Sequence, residues 1–467
     1  MNHDTDSAQL DNFATEWIPL AGAGSARRYF RSSVPHPDLG HIIKVESEDS
    51  RENDTFISLA RMFREEGIDV PRIFEVSEDP NTYYIEDLGN IDLFSLVGTV
   101  NFEPLASEAL KGLARLQTLS SEKWEGLVNH PQFSVRQIMF DLDYFKYSFL
   151  KPSDVVFDEE KLQDDLERLA ADIFSCSGEM SGFMYRDFQS RNVMVNGGRP
   201  WFIDFQGGRR GPALYDAVSF LWQAKAALPD DMKRRLLDVY AEEYERLTGL
   251  SRGKLLESLD LFVLFRTLQV LGAYGMRGLT QRRAHFLQSI PAGLANLRGL
   301  LDLELMARYP ELREACRALC SLKRFASQEF DDGRLHIRVM SFSYKKGYPE
   351  NLTANGGGFM FDCRAMHNPG RYAEYKALTG RDKPVADFLE ERGEVFVFLD
   401  AVRQLIDRAA ERYISRGFTS LDVGFGCTGG QHRSVYCAER TARHLHERFP
   451  EAVVHLIHRE QNVDEIL

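Results

Sequence analysis

Residues 185–192 read Tyr-Arg-Asp-Phe-Gln-Ser-Arg-Asn, and twelve residues beyond Asn192 comes Asp204, which opens Asp-Phe-Gln. Asp187 and Asn192 are spaced as D-x-x-x-x-N. Strand-like runs flank them: GFMYRD at 182–187, NVMVNG at 192–197 and RPWFIDF at 199–205. Phosphoryl transfer from ATP needs a carboxylate beside the acceptor hydroxyl. It also needs two or more oxygen ligands that hold Mg²⁺ against the phosphates. Asp187 stands where the first is wanted. Asn192, and Asp204 at the end of the apolar run WFID, stand where the second are wanted. The competing reading is a chance loop with two acids and an asparagine. Three correct spacings in a strand–loop–strand–acid context argue against it.

Working upstream, Lys44 ends the run HIIK, the place for a lysine that pairs with nucleotide phosphates. A strand-terminal lysine is otherwise simply solvated. Glu52, ahead of the first long helical stretch, is the first candidate to pair with it, with Glu46 and Glu48 as neighbours. Between two strand-like runs lies Ala21-Gly22-Ala23-Gly24-Ser25. Small residues there, Gly24 and Ser25 among them, either let backbone N–H groups approach phosphates or make a plain hairpin turn. Residues 54–67 have helical spacing with Gly67 as the stop, and 70–77 and 82–89 read as strands. Helical periodicity runs from about 93 to 176 and again from 215 to about 322.

The stretches AGAGSARRYFR (21–31), HIIKVE, YYIEDLG, YRDFQSRNVMV and FIDFQGGRRGPALYDAVS resemble the aminoglycoside/choline phosphotransferase superfamily. Within it they are most similar to bacterial kinases that phosphorylate N-acetylmuramate and N-acetylglucosamine at the anomeric position. The likeness covers roughly residues 10–310. It implies a two-lobed protein-kinase-like fold, with Asp187 as catalytic base, Asn192 and Asp204 as Mg²⁺ ligands and Lys44 on the ATP phosphates. It also implies an adenine hinge along the backbone of Tyr84 to Asp87, Glu86 included, and a structural role for Asp216. One position departs from the family pattern: Tyr185 stands where a histidine is usual, two residues before the base. Its hydroxyl could replace the buried hydrogen bond.

With 467 residues the chain is long for one hydrophobic core. Hydrophobic residues make up 43% and charged residues 27%, as in ordinary globular proteins. The formal charge of −13 gives no generic attraction to nucleic acid or anionic membrane, so neither is expected as a partner. Residues 326–467 hold 19 basic against 21 acidic side chains, so most of the excess negative charge lies earlier. Apolar stretches are too short to span a membrane. The polar start MNHDTDSAQLDNFATEW has no apolar core of a signal peptide. Six cysteines without paired spacing suggest neither a disulfide framework nor a zinc site, so the expectation is a cytoplasmic, reduced protein.

The polar segment 321–334 breaks the helical pattern and marks the boundary, with residues 1–322 before it, 323–334 as linker and 335–467 after it. Beyond it strands and helices alternate, the pattern of a small α/β sheet with covered faces. There, Cys427-Thr428-Gly429-Gly430-Gln431-His432-Arg433-Ser434 follows one apolar run and opens a helix, with the spacing C-x5-R-S. Paired glycines permit a tight turn, successive N–H groups face an oxyanion, and the helix start adds positive potential. Arg433 can bind phosphate bidentately. Three readings stay open: a turn with no ligand, phosphate binding without chemistry, and a nucleophilic Cys427 with a depressed pKa.

SFSYKKGYP, GFMFDCRAMHNP, LTGRDKPVADFL and GCTGGQHRSVYCAE, across about residues 335–460, are similar to the C-terminal domain of the RapZ family. That resemblance implies a pocket for glucosamine-6-phosphate or a related hexosamine phosphate, built on the 427–434 loop. Asp362 and Arg364, at the end of a facing strand, are candidates to read hydroxyl and phosphate groups. RapZ proteins carry a Walker-type N-terminal domain. No G-x-x-x-x-G-K-[ST] occurs here, so RNA regulation is not carried over. His336, His367, His432, His455 and His458 read as polar pocket or surface residues.

The fold expected is an α+β two-lobed kinase-like domain followed by a small α/β domain. The function expected is an ATP- and Mg²⁺-dependent kinase acting on an amino sugar or related hexose. A non-catalytic adaptor that senses nucleotide and sugar phosphate is the competing reading.

Overall fold

An antiparallel sheet leads the first part of the chain: β1 (Trp17–Pro19), β2 (Arg28–Ser32), β3 (Ile42–Glu46), β4 (Ile73–Val76) and β5 (Thr82–Glu86), ordered β1-β2-β3-β5-β4. The computed structural model describes residues 16–20, 27–77, 81–178, 180–325, 332–349 and 358–467, together with Leu10. The Ala21–Ser25 turn, with Gly24 and Ser25, lies outside the described residues. The chain divides into two units, Met1–Ala273 with Ala292–Cys320, and Tyr274–Pro291 with Ser321–Leu467.

Side chains alternate across a strand, so the register sorts the first sheet's residues onto two faces. Phe30, Lys44 and Tyr84 are cross-strand partners, and so are Tyr29, Val45 and Tyr83. The first set shares its face with Ile42, against which, with Tyr84, Trp17, Leu39 and Phe74 pack. The second set faces helix α1 (Ser50–Glu65), whose Phe56 ring lies 5.8 Å from that of Tyr83. The Asp49 carboxylate accepts from Glu52 N–H at 3.1 Å, so α1 starts four residues before the stretch that periodicity picks out.

The rest of the first unit is mainly helical: α2 (Phe102–Gln117), α3 (Val135–Phe145), α4 (Glu159–Cys176), α5 (Ala213–Leu221), α6 (Asp230–Thr248) and α7 (Leu259–Tyr274), with shorter pieces between. Two small antiparallel pairs sit among them. β6 (Ser181–Met184) pairs with β9 (Arg209–Pro212), and β7 (Val193–Asn196) with β8 (Arg199–Phe202). These pairs bracket the 185–192 loop and the turn after β8.

The second unit holds a mixed sheet of β10 (His336–Ser343), β11 (Gly358–Asp362), β12 (Ser420–Cys427), β13 (Val453–His458) and β14 (Val463–Ile466), ordered β11-β12-β10-β13-β14. The first four run parallel, and β14 adds an antiparallel edge that sequence reading missed. Every residue of β10 and β12 is buried, as strands covered on both faces must be. Helices α8 (Lys383–Glu391), α9 (Glu394–Ser415) and α10 (Arg433–Arg448) supply apolar side chains such as Val385, Leu399, Ile406 and Ala442 to the core around Val339 and Val423. In that interior Arg338 and Asp422, register partners on β10 and β12, form a bidentate pair at 2.7 and 2.5 Å.

Candidate functional site

The 185–192 loop and the turn after β8 bring the predicted acids together. Asn192 Nδ2 donates to the Asp187 carbonyl at 2.9 Å and to Asp204 Oδ2 at 3.1 Å. The second Asp204 oxygen accepts from Gln206 Nε2 at 2.8 Å. Asp204 holds a positive φ of 67° and Arg186 one of 80°, a conformation that side chains other than glycine rarely adopt. Such strain persists where the surroundings dictate it. The surroundings here are specific. Tyr185 donates its hydroxyl to the Ile203 carbonyl. The Asp216 carboxylate accepts from Tyr185 N–H at 2.7 Å, from Arg186 N–H at 2.9 Å and from Gln117 Nε2 at 2.9 Å. Gln117 in turn accepts from the Tyr240 hydroxyl at 2.7 Å.

The Asp187 side chain is 49% exposed. Burial of its remaining surroundings and the Asp204 charge raise its pKa, while the Arg266 guanidinium 3.8 Å away and donation from Gln189 oppose the rise. Arg266 is itself held by the Tyr215 hydroxyl at 3.1 Å and Gln269 Oε1 at 2.6 Å. Arg186 is paired with Asp141 at 2.6 Å and lies over the Phe133 ring. Asp204 and Asn192 offer oxygen donors, the type that a hard divalent cation takes, so the donor set fits magnesium.

Two expectations around the first sheet are corrected. Lys44 shares its face with Tyr84, lies over the Trp17 ring at 5.9 Å and pairs with Glu46 at 3.2 Å. It therefore points to the side of the sheet opposite α1. Glu52 does not pair with Lys44; its carboxylate meets Arg27 at 2.9 Å. The cause is strand parity: the β3 side chains turned toward α1 are Ile43 and Val45. In the Tyr84–Asp87 stretch, Glu86 N–H donates to the Arg72 carbonyl at 3.0 Å, and the Glu86 carboxylate faces Arg72. Asp87 is taken by Arg31 at 2.6 Å.

In the second unit, β12 ends at Cys427, the loop turns, and α10 begins at Arg433. A cavity of about 370 Å³ opens beside this junction, lined by Arg364, Ala365, Met366, His367, Asn368, Arg371, Tyr372, Thr428 and Arg433. Three arginines and a histidine give its lining a basic character. Arg433 is buried and anchored by the Arg364 and Met366 carbonyls at 2.9 and 2.8 Å, and its Nε has no hydrogen-bond partner among the described residues. Arg364 pairs with Asp362 at 2.7 Å and stacks over Tyr344, and this arginine holds the Asp362 carboxyl below its usual range.

Other members of the predicted loop do structural work. Gln431 donates to the Lys376 and Leu378 carbonyls at 2.9 and 2.8 Å, and His432 meets the Tyr375 carbonyl at 2.9 Å. Gly430 takes a φ of +64° where an added Cβ would sit 2.5 Å from Glu460 Cγ and 2.9 Å from Ser343 N, whereas Gly429 faces open space. Cys427 is 3% exposed and lies 3.1 Å from the Ser434 hydroxyl. Burial resists its ionisation, but hydrogen bonds from Ser434 and Gln431 and the Arg433 charge outweigh that and lower the thiol pKa. Sequence reading left His367 as a pocket or surface residue and did not assign Asn368, Arg371 and Tyr372 to the pocket. The available signal was that His367 and Asn368 lie within the GFMFDCRAMHNP stretch and that Arg371 and Tyr372 follow it closely.

Over residues 16–254 the sequence matches the phosphotransferase enzyme family, and over 335–462 the RapZ C-terminal domain. The chain belongs to the phosphotransferase enzyme family and carries a RapZ C-terminal domain. The kinase-like α+β fold followed by an α/β domain is thus the architecture of this chain. A nucleotide-binding protein of Xylella fastidiosa (strain M12) is 35% identical over 183 residues, which are 36% of this chain and 59% of that protein. The phosphotransferase chain therefore spans little more than half the length of that curated relative. A nucleotide-binding protein of Methylobacillus flagellatus is 35% identical over 218 residues, 45% of this chain and 74% of its own. Choline kinase LicA from Streptococcus pneumoniae superposes with a TM-score of 0.45 and 10% identity over 63% of this chain and 96% of its own. The ADP-bound aminoglycoside phosphotransferase APH(2'')-Ib gives 0.42 and 11% over 66% and 96%. Among the described residues, no helix is long and apolar enough to cross a membrane.

Proposed function

We propose that this phosphotransferase moves the γ-phosphate of ATP to a hydroxyl of an amino sugar or related hexose, the anomeric hydroxyl foremost, and that its RapZ C-terminal domain holds a hexosamine phosphate. One observation carries the first half: a single asparagine amide joins the backbone of Asp187 to the carboxylate of Asp204. A kinase needs its proton acceptor and its metal-binding acid fixed relative to each other in this way. Asp187 accepts the proton of the acceptor hydroxyl, and its raised pKa suits a base. Arg266 sets the orientation of that carboxylate from 3.8 Å. Asp204 and Asn192 hold magnesium, which when bound with ATP neutralises charge on the phosphates.

The substrate class rests on the two family likenesses, which meet in amino-sugar metabolism. The second half rests on the arginine-lined cavity, where the Arg371 and Arg433 guanidinium groups are the donors for a phosphate. Cys427 lies beneath this pocket and does not line it, which favours binding over sulfur chemistry.

The test is Mg-ATP turnover on a panel of hexosamines by wild type and Asp187→Asn, beside thermal shifts with glucosamine-6-phosphate for wild type and Arg371→Ala. Loss of turnover in the first variant, and of the ligand shift in the second, is expected. Full turnover in Asp187→Asn, or no hexose turned over by wild type, removes the kinase reading. An unchanged shift in Arg371→Ala removes the pocket assignment.

A further inference from the structure

We propose that Arg27, steadied by Glu52, is the cation that pairs with the nucleotide phosphates, in the role expected of Lys44. The inference rests on the kinase reading above and concerns the same cleft. Its first support is parity. Tyr29, Val45 and Tyr83 are register partners on the sheet face toward α1, so Arg27, two residues before Tyr29, falls on that face as well. The β3 positions there are Ile43 and Val45, which carry no charge. Lys44 belongs to the opposite face, beneath Trp17.

The second support is the fate of the basic side chains. Among the described residues of this face on β2, β3 and β5 and just ahead of β2, the cations are Arg31 and, before the strand begins, Arg27. Arg31 is spent on Asp87 at 2.6 and 2.8 Å, on Asn90 at 2.7 Å and on the Gly89 carbonyl. Arg27 is 6% exposed and is held at 2.9 Å by Glu52, in the first turn of α1. The Tyr29 phenol lies near enough to it to interact electrostatically.

The third support is its proximity to the metal-binding acid. Phe56, one helical turn beyond Glu52, stacks on Phe205 at 4.8 Å and 9°, and Phe205 directly follows Asp204. The Tyr29 and Tyr83 phenols lie within the electrostatic influence of both Arg27 and Asp204. Helix α1 thus fixes one pair, Arg27–Glu52, and packs against the turn that presents Asp204. A guanidinium is permanently charged and forks onto two phosphate oxygens, so it can do what the lysine ammonium does in other kinases, with tighter demands on direction.

The experiment compares binding of Mg-ADP and of adenosine to wild type, Arg27→Ala, Arg27→Lys, Glu52→Gln and Lys44→Ala. Adenosine lacks phosphates and controls for damage to the fold. The expected result is about a tenfold or greater loss of Mg-ADP affinity in Arg27→Ala, the strength of a charged hydrogen-bond pair, with adenosine unchanged. Arg27→Lys restores part of the loss, and Lys44→Ala binds as wild type does. If Arg27→Ala does not fold, Arg27→Lys and Glu52→Gln, which keep the volume, carry the same comparison. Unchanged Mg-ADP affinity in the Arg27 variants, an equal loss for adenosine, or a selective loss in Lys44→Ala overturns the inference. Failure of wild type to bind Mg-ADP at all overturns the kinase reading instead, and the two failures are told apart by that one control.

Discussion

The Tyr185 hydroxyl donates to the carbonyl of Ile203, the residue that delivers Asp204 into its positive-φ turn. A tyrosine thus ties the strand ahead of Asp187 to the turn that carries Asp204. The ring is fully buried among Phe188, Phe202 and Phe205.

Tyr185→Phe keeps the ring and deletes the donor. Loss of a buried hydrogen bond costs about 1–3 kcal/mol of stability. Because Asp204 is less firmly held, kcat falls while KM for the acceptor changes little. Urea unfolding and steady-state kinetics check both parts. A variant with wild-type midpoint and wild-type kcat would show that the tie does nothing.

Asp216 makes stability depend on pH. Burial pushes its carboxyl up to about 7, against donation by Tyr185 N–H, Gln117 and Arg186 N–H. The folded value lies above the unfolded one of 3.8, so folding favours the protonated form. That contribution is whole below the unfolded pKa and is lost as pH rises through about 7. Measured against Asp216→Asn, which cannot titrate, the wild-type melting temperature falls between about pH 5 and about pH 8. A difference between the two proteins that stays constant over this range contradicts the assignment.

Neighbouring glycines in the 427–434 loop respond in opposite ways. Gly430→Ala places a Cβ 2.5 Å from Glu460 Cγ at a φ of +64°, while Gly429→Ala meets nothing within 4 Å. The first loses about 1–3 kcal/mol and weakens the anion pocket; the second stays within about 0.5 kcal/mol of wild type. Chemical denaturation and glucosamine-6-phosphate titration of both read this out. Equal effects in the two variants would mean that the loop is not held as described.

Short-range patterns were legible in the sequence, and long-range ones were not. Asp187, Asn192 and Asp204 share one loop–hairpin segment, so their spacing alone announces their meeting. The β12–loop–α10 junction is equally local. The face on which Lys44 lies was hidden because Ile42, Ile43 and Val45 are all buried, the sheet being covered on both sides. Alternation then carries no signal about which side holds the cleft. Arg27 and Glu52 meet across a strand and a helix start, a relation that depends on that unseen parity. Arg371 and His367 line the cavity from short turns without periodicity. Strand β14 escaped because Val463–Ile466 is too short to show alternation and earns its place as an edge beside β13.

Arg338 and Asp422 carry a consequence for how the second unit assembles. They are partners in the register of the two central strands, which lie more than eighty positions apart in the chain. A slip of one position would set each ion opposite a hydrocarbon side chain, Arg338 facing Leu421 or Val423, at a cost of several kcal/mol per stranded charge. The pair therefore works as a key during assembly. Of the possible alignments of these two strands, the native one is that in which both charges are paired, and it is this alignment that ends β12 at Cys427 ahead of the loop.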